Sequence, residues 1–162
     1  MNLRMSEYNI QIRSANVSDL ANIINLDSLI TLVEKGEYWR DMFERFVERE
    51  GRYFLIAEKQ IGTGSKDVEY KTEFMGFIVG EIRAWEFGSQ PCGWILTILV
   101  GSEFQGHGVG EQLFDAVCRR MRNADVPTIR TMIAREDNLN MSFFRSQGMM
   151  AGPFIELEKP LE

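Results

Sequence analysis

The chain holds one histidine, His107, and two cysteines, Cys92 and Cys118, and these three residues bound the chemistry open to it. A Ser-His-Asp triad, a Cys-His dyad or an HExxH zinc site would each have to use His107 or lack its partner. The cysteines have no CxxC spacing, so they build neither a disulfide framework nor a structural zinc site, and no metal is expected. Both read as small buried hydrophobes. His107 itself sits in a glycine cluster, a poor place to aim a catalytic imidazole. The cluster is the more informative feature. Glycines 106, 108 and 110 follow the apolar run Trp94 to Val100 and precede a helical pattern from Glu111 to Arg122. Strand, glycine-rich turn and helix bring free backbone N–H groups and the positive end of a helix dipole to one point, which binds phosphate. Glycine lets the main chain approach the anion. Without a ligand the same residues would be a tight strand-to-helix connection.

Spacing narrows the ligand. Gly101 and Gly106 have the glycine separation of a P-loop, but His107 and Gly108 stand where Lys and Ser/Thr would be needed. A dinucleotide fingerprint starting at Gly106 would need a glycine at 111, where Glu111 stands. Both nucleotide readings fail.

The elements that must position this loop are legible as patterns. Asn9 to Arg13 alternates as a short strand. Asn16-Val17-Ser18-Asp19 supplies helix-start chemistry before Leu20, Ile23, Ile24 and Leu26, and a second helix covers Glu37 to Glu48 before Gly51. Tyr53 to Ala57 and Met75 to Trp85 read as antiparallel strands joined by the polar segment Gln60 to Lys71. Gly93 to Val100 is the central strand, and its continuous apolar character predicts burial on both faces. Beyond the loop and its helix, Thr128 to Ala134 is a strand, and Asp137 or Asn138 caps a short helix ending at Gly148. Phe154 to Glu158 closes the order as a last strand. The expectation is one α/β domain over residues 1–162 with mixed strand direction.

Composition excludes several function classes. A net charge of −6, from 18 Lys+Arg against 24 Asp+Glu, argues against a nucleic-acid partner that relies on counterion release, and leans toward cationic or neutral substrates. The longest apolar run is short against the ~20 residues of a spanning helix, so no membrane span is expected. The N-terminal stretch MNLRMSEYNI lacks the apolar core of a secretory signal, which makes a cytoplasmic location the expectation.

The motif Gln105-x-x-Gly108-x-Gly110, preceded by Ile98-x-Val100, resembles the signature of the GNAT superfamily of acyl-CoA N-acyltransferases. The longer stretch Val100-Gly-Ser-Glu-Phe-Gln-Gly-His-Gly-Val-Gly-Glu-Gln-Leu-Phe is similar to that family's V-x-P-E-Y-R-G-x-G-I-G-x-x-L-L, with Ser102 where proline is common. The order of elements matches too. The resemblance implies a GNAT-like mixed, mostly antiparallel sheet of six to seven strands flanked by about four helices. It implies acetyl-CoA as cosubstrate, with the backbone of Gln105, Gly106, His107, Gly108, Val109 and Gly110 on the pyrophosphate. Ile98, Leu99 and Val100 would pair with the pantetheine arm like an added strand. The segment Asp137 to Met149 is similar to a second family motif, which places Asn138 or Asn140 on the pantetheine and Phe144 where many members carry a tyrosine acid. A homodimer through the C-terminal strands is compatible with the family.

Acyl transfer to an amine needs an unprotonated amine, a polarised thioester carbonyl and a proton for the leaving thiolate, but no metal and no covalent nucleophile. A backbone N–H at Ile98 or Leu99 would polarise the carbonyl. Phe144 cannot donate a proton, and Trp94, Leu96 and Thr97 occupy the stretch where members often carry a glutamate base. Glu81, in the apolar strand Phe77 to Ile82, is the remaining base candidate, burial being expected to raise its pKa. Pairing with Arg83 is the competing reading, and Glu86 is the second candidate. Trp85, Trp94 and Tyr38 either line an acceptor pocket or belong to the core. The expected function is acetyl transfer from acetyl-CoA to a primary amine of a small molecule or peptide. The alternative is a non-catalytic acyl-CoA binding module of the same fold.

Overall fold

Asn16 begins the first helical segment by a reciprocal cap. Its side-chain oxygen accepts from the Ser18 N–H at 2.9 Å, while the Asp19 carboxylate accepts the Asn16 N–H at 2.8 Å. A 3-10 turn at Val17–Asp19 leads into α1 (Leu20–Thr31), and α2 (Gly36–Phe46) follows. The computed structural model describes residues 8–61 and 71–162. Most of the expected loop Gln60 to Lys71, and the first seven residues of the N-terminal stretch, lie outside the described residues.

The chain divides into two compact units, Met1–Met132 and Ile133–Glu162. In the first, β1 (Ile10–Ser14), β2 (Arg52–Ile61), β3 (Lys71–Arg83), β4 (Cys92–Val100) and β5 (Ile129–Arg130) form one sheet in that order. Pairing is antiparallel from β1 to β4 and parallel between β4 and β5. The helix α3 (Val109–Asn123) connects those last two strands, as a parallel pair requires. Ile23 and Leu26 of α1 and Trp39, Met42, Phe43 and Phe46 of α2 join Phe54, Ile56, Phe77 and Val79 of the sheet in one buried cluster. The side-chain period of a strand sends neighbours such as Leu55 and Ile78 to the opposite face. The helix α3 packs against β1 to β4 and buries Leu113, Phe114, Val117 and Met121.

In the second unit, α4 (Asn138–Ser146) is capped by Asp137, whose carboxylate accepts the Asn140 N–H at 3.1 Å. It ends before Gly148, whose φ of 87° is the left-handed stop. No helix among the described residues is long and apolar enough to cross a membrane.

Three expectations need correction. Among the described residues the sheet has five strands, not six to seven. The expected strand Thr128 to Ala134 shrinks to Ile129–Arg130, and Phe154 to Glu158 forms no strand. A strand exists through its ladder partner, and Ile155 and Leu157 stand 85% and 88% exposed with none among the described residues. Finally, β4 is not buried throughout, since only Cys92, Gly93 and Ile95 are buried and Leu96 is exposed. Its second neighbour, β5, covers only the first residues of the strand.

Candidate functional site

The end of β4 is where the first unit opens. The Gly101 N–H donates to the Met75 carbonyl at 2.8 Å, which fixes the ladder between β3 and β4 at that end. Residues of an antiparallel strand alternate between facing their partner and facing away. Thr97 and Leu99 therefore face β3 with Gly101, and the N–H and C=O groups of Ile98 and Val100 face the other flank. There β5 pairs only with Gly93 and Trp94, so among the described residues no strand pairs with β4 from Ile95 to Val100. The Ile95 carbonyl is taken by the Thr131 hydroxyl at 3.0 Å. Between the alternatives Ile98 and Leu99, the alternation puts the Ile98 N–H on the open flank.

A register shift between Val79 and Gly80 pairs Val79 with Thr97 but Gly80 with Ile95, leaving Leu96 as the bulged residue. Bulges turn a strand and end pairing locally. Beyond Val100, a 3-10 turn at Ser102–Phe104 plants the buried Phe104 under the loop. Gly106 and Gly108 have φ of 80° and 81°, a conformation that L side chains rarely adopt, and a Cβ on either would meet no atom within 4 Å. The main chain is exposed there. Gly108 is the N-cap of α3, and no side chain caps that end. The first helical bond runs from the Gln112 N–H to the Gly108 carbonyl at 3.0 Å, so the N–H groups of Val109, Gly110 and Glu111 have no acceptor within the helix. Buried Val109 anchors the turn, while Gln105 is exposed. Uncapped backbone N–H groups at a helix N-terminus, the kind of arrangement that can take an anion, thus lie where the open flank of β4 ends.

The structure adds a clasp under the loop. The His107 ring packs against Tyr8 with centroids 4.8 Å apart, and Tyr8 meets Phe104 edge-on. The Lys59 ammonium lies 4.4 Å from the Tyr8 ring centroid and pairs with Glu73 at 3.1 Å. The histidine therefore packs as a ring. Nothing in the sequence joins positions 8, 59, 104 and 107. Gly76 and Gly93 also position β4: a Cβ at Gly93 would collide with the Met121 sulfur of α3, and one at Gly76 with the Leu99 carbonyl. Glycine within a strand pattern is a signal of such close approach, and it could have singled out both residues.

Glu81 is not the lone buried carboxylate that its apolar strand suggested. Its Oε1 accepts from Arg83 Nε at 2.6 Å, and Arg52 lies 4.0 Å from Oε2. It faces Trp94, at the far end of β4 from the glycine loop. Glu86 is exposed in the β3–β4 turn with Trp85, Trp94 is half-buried, and Tyr38 is exposed with its ring against Trp39. Asn138, Asn140 and Phe144 all lie on α4 in the second unit. Asn140 donates from Nδ2 to Asp137 at 2.7 Å, Asn138 is exposed and Phe144 is buried. Burial raises the pKa of the half-buried Cys118 thiol, so it is a weak nucleophile, and Cys92 is buried. Among the described residues no cluster of three His, Cys, Asp or Glu could hold a metal ion.

A mixed sheet whose fourth strand runs through a glycine turn into a helix defines a class of protein, and comparison with known families agrees. The acetyltransferase (GNAT) family model matches residues 20–149. The chain belongs to that family. Among curated proteins no sequence matches it. Among solved structures it is similar to the aminoglycoside N-acetyltransferase AAC(6')-Iy in complex with CoA, with a TM-score of 0.76 at 18% identity, over 94% of this chain and 95% of that one. It is similar to the aminoglycoside 6'-N-acetyltransferase AAC(6')-Ih from Acinetobacter baumannii, with a TM-score of 0.72 at 15% identity, covering 95% and 100%. A transcriptional regulator from Bacillus halodurans C-125 also shares the fold, with a TM-score of 0.71 at 17% identity, covering 94% and 100%.

Proposed function

We propose that the chain transfers an acetyl group from acetyl-CoA to a primary amine of a small molecule, by direct attack in a ternary complex. The observation that carries this reading is the pairing of an open glycine cradle with an unpaired flank on the same strand. N–H groups of the loop and of the first turn of α3, from Gln105 to Gly110, receive the pyrophosphate. Ile98 and Val100 offer N–H and C=O groups to the amides of the pantetheine arm, as an added strand would. The Ile98 N–H, on that flank, is the donor that polarises the thioester carbonyl. The amine nitrogen attacks the carbonyl carbon, a C–N bond forms as the C–S bond breaks, and the thiolate leaves with the electron pair. The amine's proton passes to solvent, and the thiolate takes a proton from it.

Glu81 is not given the base role in this reading, because Arg83 and Arg52 engage its carboxylate at the end of β4 far from the glycine loop. The amine acceptors of the solved relatives support a small-molecule amine as the substrate class. A second reading, a non-catalytic acyl-CoA binding module, draws on Phe144 at the tyrosine position and on the Glu81–Arg83 pair. Thiol release from acetyl-CoA across an amine panel that includes aminoglycosides separates the two. Amine-dependent release supports the enzyme, whereas tight CoA binding without turnover supports the module. Gly108→Glu should abolish CoA binding by calorimetry while the fold survives, and unchanged affinity overturns the cradle assignment.

A further inference from the structure

The glycine loop leaves β4 at the end of the sheet where β1 begins, β2 ends and β3 begins. His107 stands between Gly106 and Gly108, and a Cβ on either glycine would meet no atom within 4 Å. Main chain with nothing packed on it loses much entropy when a ligand fixes it. The side chain placed to fix it beforehand is that of His107. Its ring lies against Tyr8, with centroids 4.8 Å apart and planes tilted by 57°. Tyr8 also meets the buried Phe104 edge-on, with centroids 6.0 Å apart. One ring therefore touches the loop on both sides of Gly106.

Tyr8 is itself tied to the sheet. The next residue, Asn9, is joined twice to Gln60 of β2: its carbonyl accepts the Gln60 N–H at 3.2 Å, and its Nδ2 donates to Gln60 Oε1 at 2.9 Å. Gln60 Nε2 in turn donates to Gln11 Oε1 at 3.0 Å. The Lys59 ammonium lies 4.4 Å from the Tyr8 ring centroid, where the negative face of the ring attracts it, and Glu73 of β3 holds that ammonium at 3.1 Å. A line of contacts thus runs from β3 through Lys59 and Tyr8 to His107.

We propose that Tyr8 is a positioning residue for the coenzyme: by clamping the His107 ring it holds the main chain of residues 106–108 in its binding conformation before CoA arrives. The proposal rests on the acetyl-transfer reading above and deepens it. A preformed loop spares CoA the ordering of that segment, so Tyr8 adds affinity without touching the ligand. Its loss should act on coenzyme binding and not on the chemical step.

The test uses the full chain, with CoA affinity from calorimetry and KM for acetyl-CoA and kcat from turnover. Tyr8→Ala should raise the CoA dissociation constant and the KM by about three- to tenfold, with kcat at saturating acetyl-CoA and the thermal midpoint close to wild type. Tyr8→Phe keeps the ring and should restore both. His107→Ala should weaken CoA as Tyr8→Ala does, and the double variant should lose no more than either alone, because both remove one contact. In the ligand-free protein, the amides of residues 106–110 should exchange hydrogen faster in Tyr8→Ala than in wild type.

Wild-type affinity in Tyr8→Ala overturns the proposal, as do additive losses in the double variant. A Tyr8→Phe variant as weak as Tyr8→Ala overturns it too, since the hydroxyl and not the ring would then be at work. So does an affinity loss matched by a fall in the thermal midpoint, which would make Tyr8 a residue of the fold alone. If Tyr8→Ala does not fold, His107→Phe against His107→Ala decides: the ring should keep the affinity that alanine loses, and equal affinities overturn the clamp. If no amine turns over, calorimetry decides by the same comparisons. Gly108→Glu separates the clamp from the wider reading. If that variant abolishes CoA binding while Tyr8→Ala leaves it intact, the cradle stands and the clamp alone falls. If Gly108→Glu binds CoA as wild type does, the cradle falls and the clamp with it.

Discussion

Gly76 on β3 presses directly on the Leu99 carbonyl of β4, leaving no room between them for a side chain. A Cβ at Gly76 would overlap that oxygen and lie 3.0 Å from the Val100 Cα. Both contacts are to backbone, which cannot rotate aside. Gly76→Ala should therefore push β4 away where its open flank runs into the glycine loop. The expected outcome is a loss of about 1–3 kcal/mol in stability, from strain in a packed interior, together with weaker CoA binding. Urea unfolding and CoA calorimetry on the same variant check both, and an unperturbed affinity would separate this contact from the site.

The loop glycines should behave in the opposite way. At Gly106 and Gly108 a methyl group meets nothing within 4 Å, so the only folding penalty is the left-handed backbone, about 1–2 kcal/mol. If the proposed site holds, Gly106→Ala should keep the fold and weaken CoA binding about tenfold, because the methyl would stand where the anion is proposed to meet the main chain. Comparing its thermal midpoint and CoA affinity with those of Gly76→Ala tests whether the two kinds of glycine divide as the structure divides them.

The elements around these glycines were legible because their signals are local. Asn16 and Asp19 mark a helix start within four residues, and Leu113, Val117 and Met121 repeat at helical spacing on α3. The glycine cluster was legible for the same reason. What sequence reading missed depends on distant partners. Thr128 to Ala134 and Phe154 to Glu158 have strand-like composition, but a strand is decided by its ladder, and of these residues only Ile129 and Arg130 have one. The Arg83 pairing of Glu81 was one of two open readings, but Arg52 was not foreseen, because it approaches from the neighbouring strand, 29 positions away in the chain (81 − 52). The bulge at Leu96, which makes β4 half-open, is invisible in a continuous apolar run.

Asp27 is the clearest long-range pair, joining α1 to α2. Asp27→Ala would leave the Trp39 indole N–H without its acceptor in a fully packed cluster and remove the partner of Lys35. A loss of about 2–4 kcal/mol is expected. Asp27→Asn retains an acceptor for the indole and should lose less. Equal losses in the two variants, read from urea midpoints, would show that the charge pair with Lys35 dominates and the indole bond does not.

Glu81→Gln tests the base role that the ion pair argues against. Since Arg83 lies 2.6 Å from the carboxylate at a partly exposed sheet position, removing the charge should cost about 0.2–1 kcal/mol and leave the pH profile of kcat unchanged. Loss of the acid-side limb of that profile would restore Glu81 as the base.

Alkaline destabilisation follows from Cys118 and Tyr53. Burial raises the pKa of both groups above their ordinary values of 9.0 and 10.0, with Asp115 adding to the effect at Cys118 and Glu50 adding at Tyr53. The folded chain holds each proton more tightly than the unfolded chain does. Below pH 9 both states are protonated at these sites and stability is at its full value. As pH rises past the unfolded values the unfolded state ionises first, and stability falls until the folded pKa is passed. Cys118→Ser removes the thiol contribution, so its decline should begin about one pH unit later, where only Tyr53 titrates. Urea midpoints of the two proteins between pH 7 and 10.5 check this. Parallel curves through pH 9 would show that the Cys118 thiol ionises as readily in the folded chain as in the unfolded one, leaving its burial on α3 without energetic consequence.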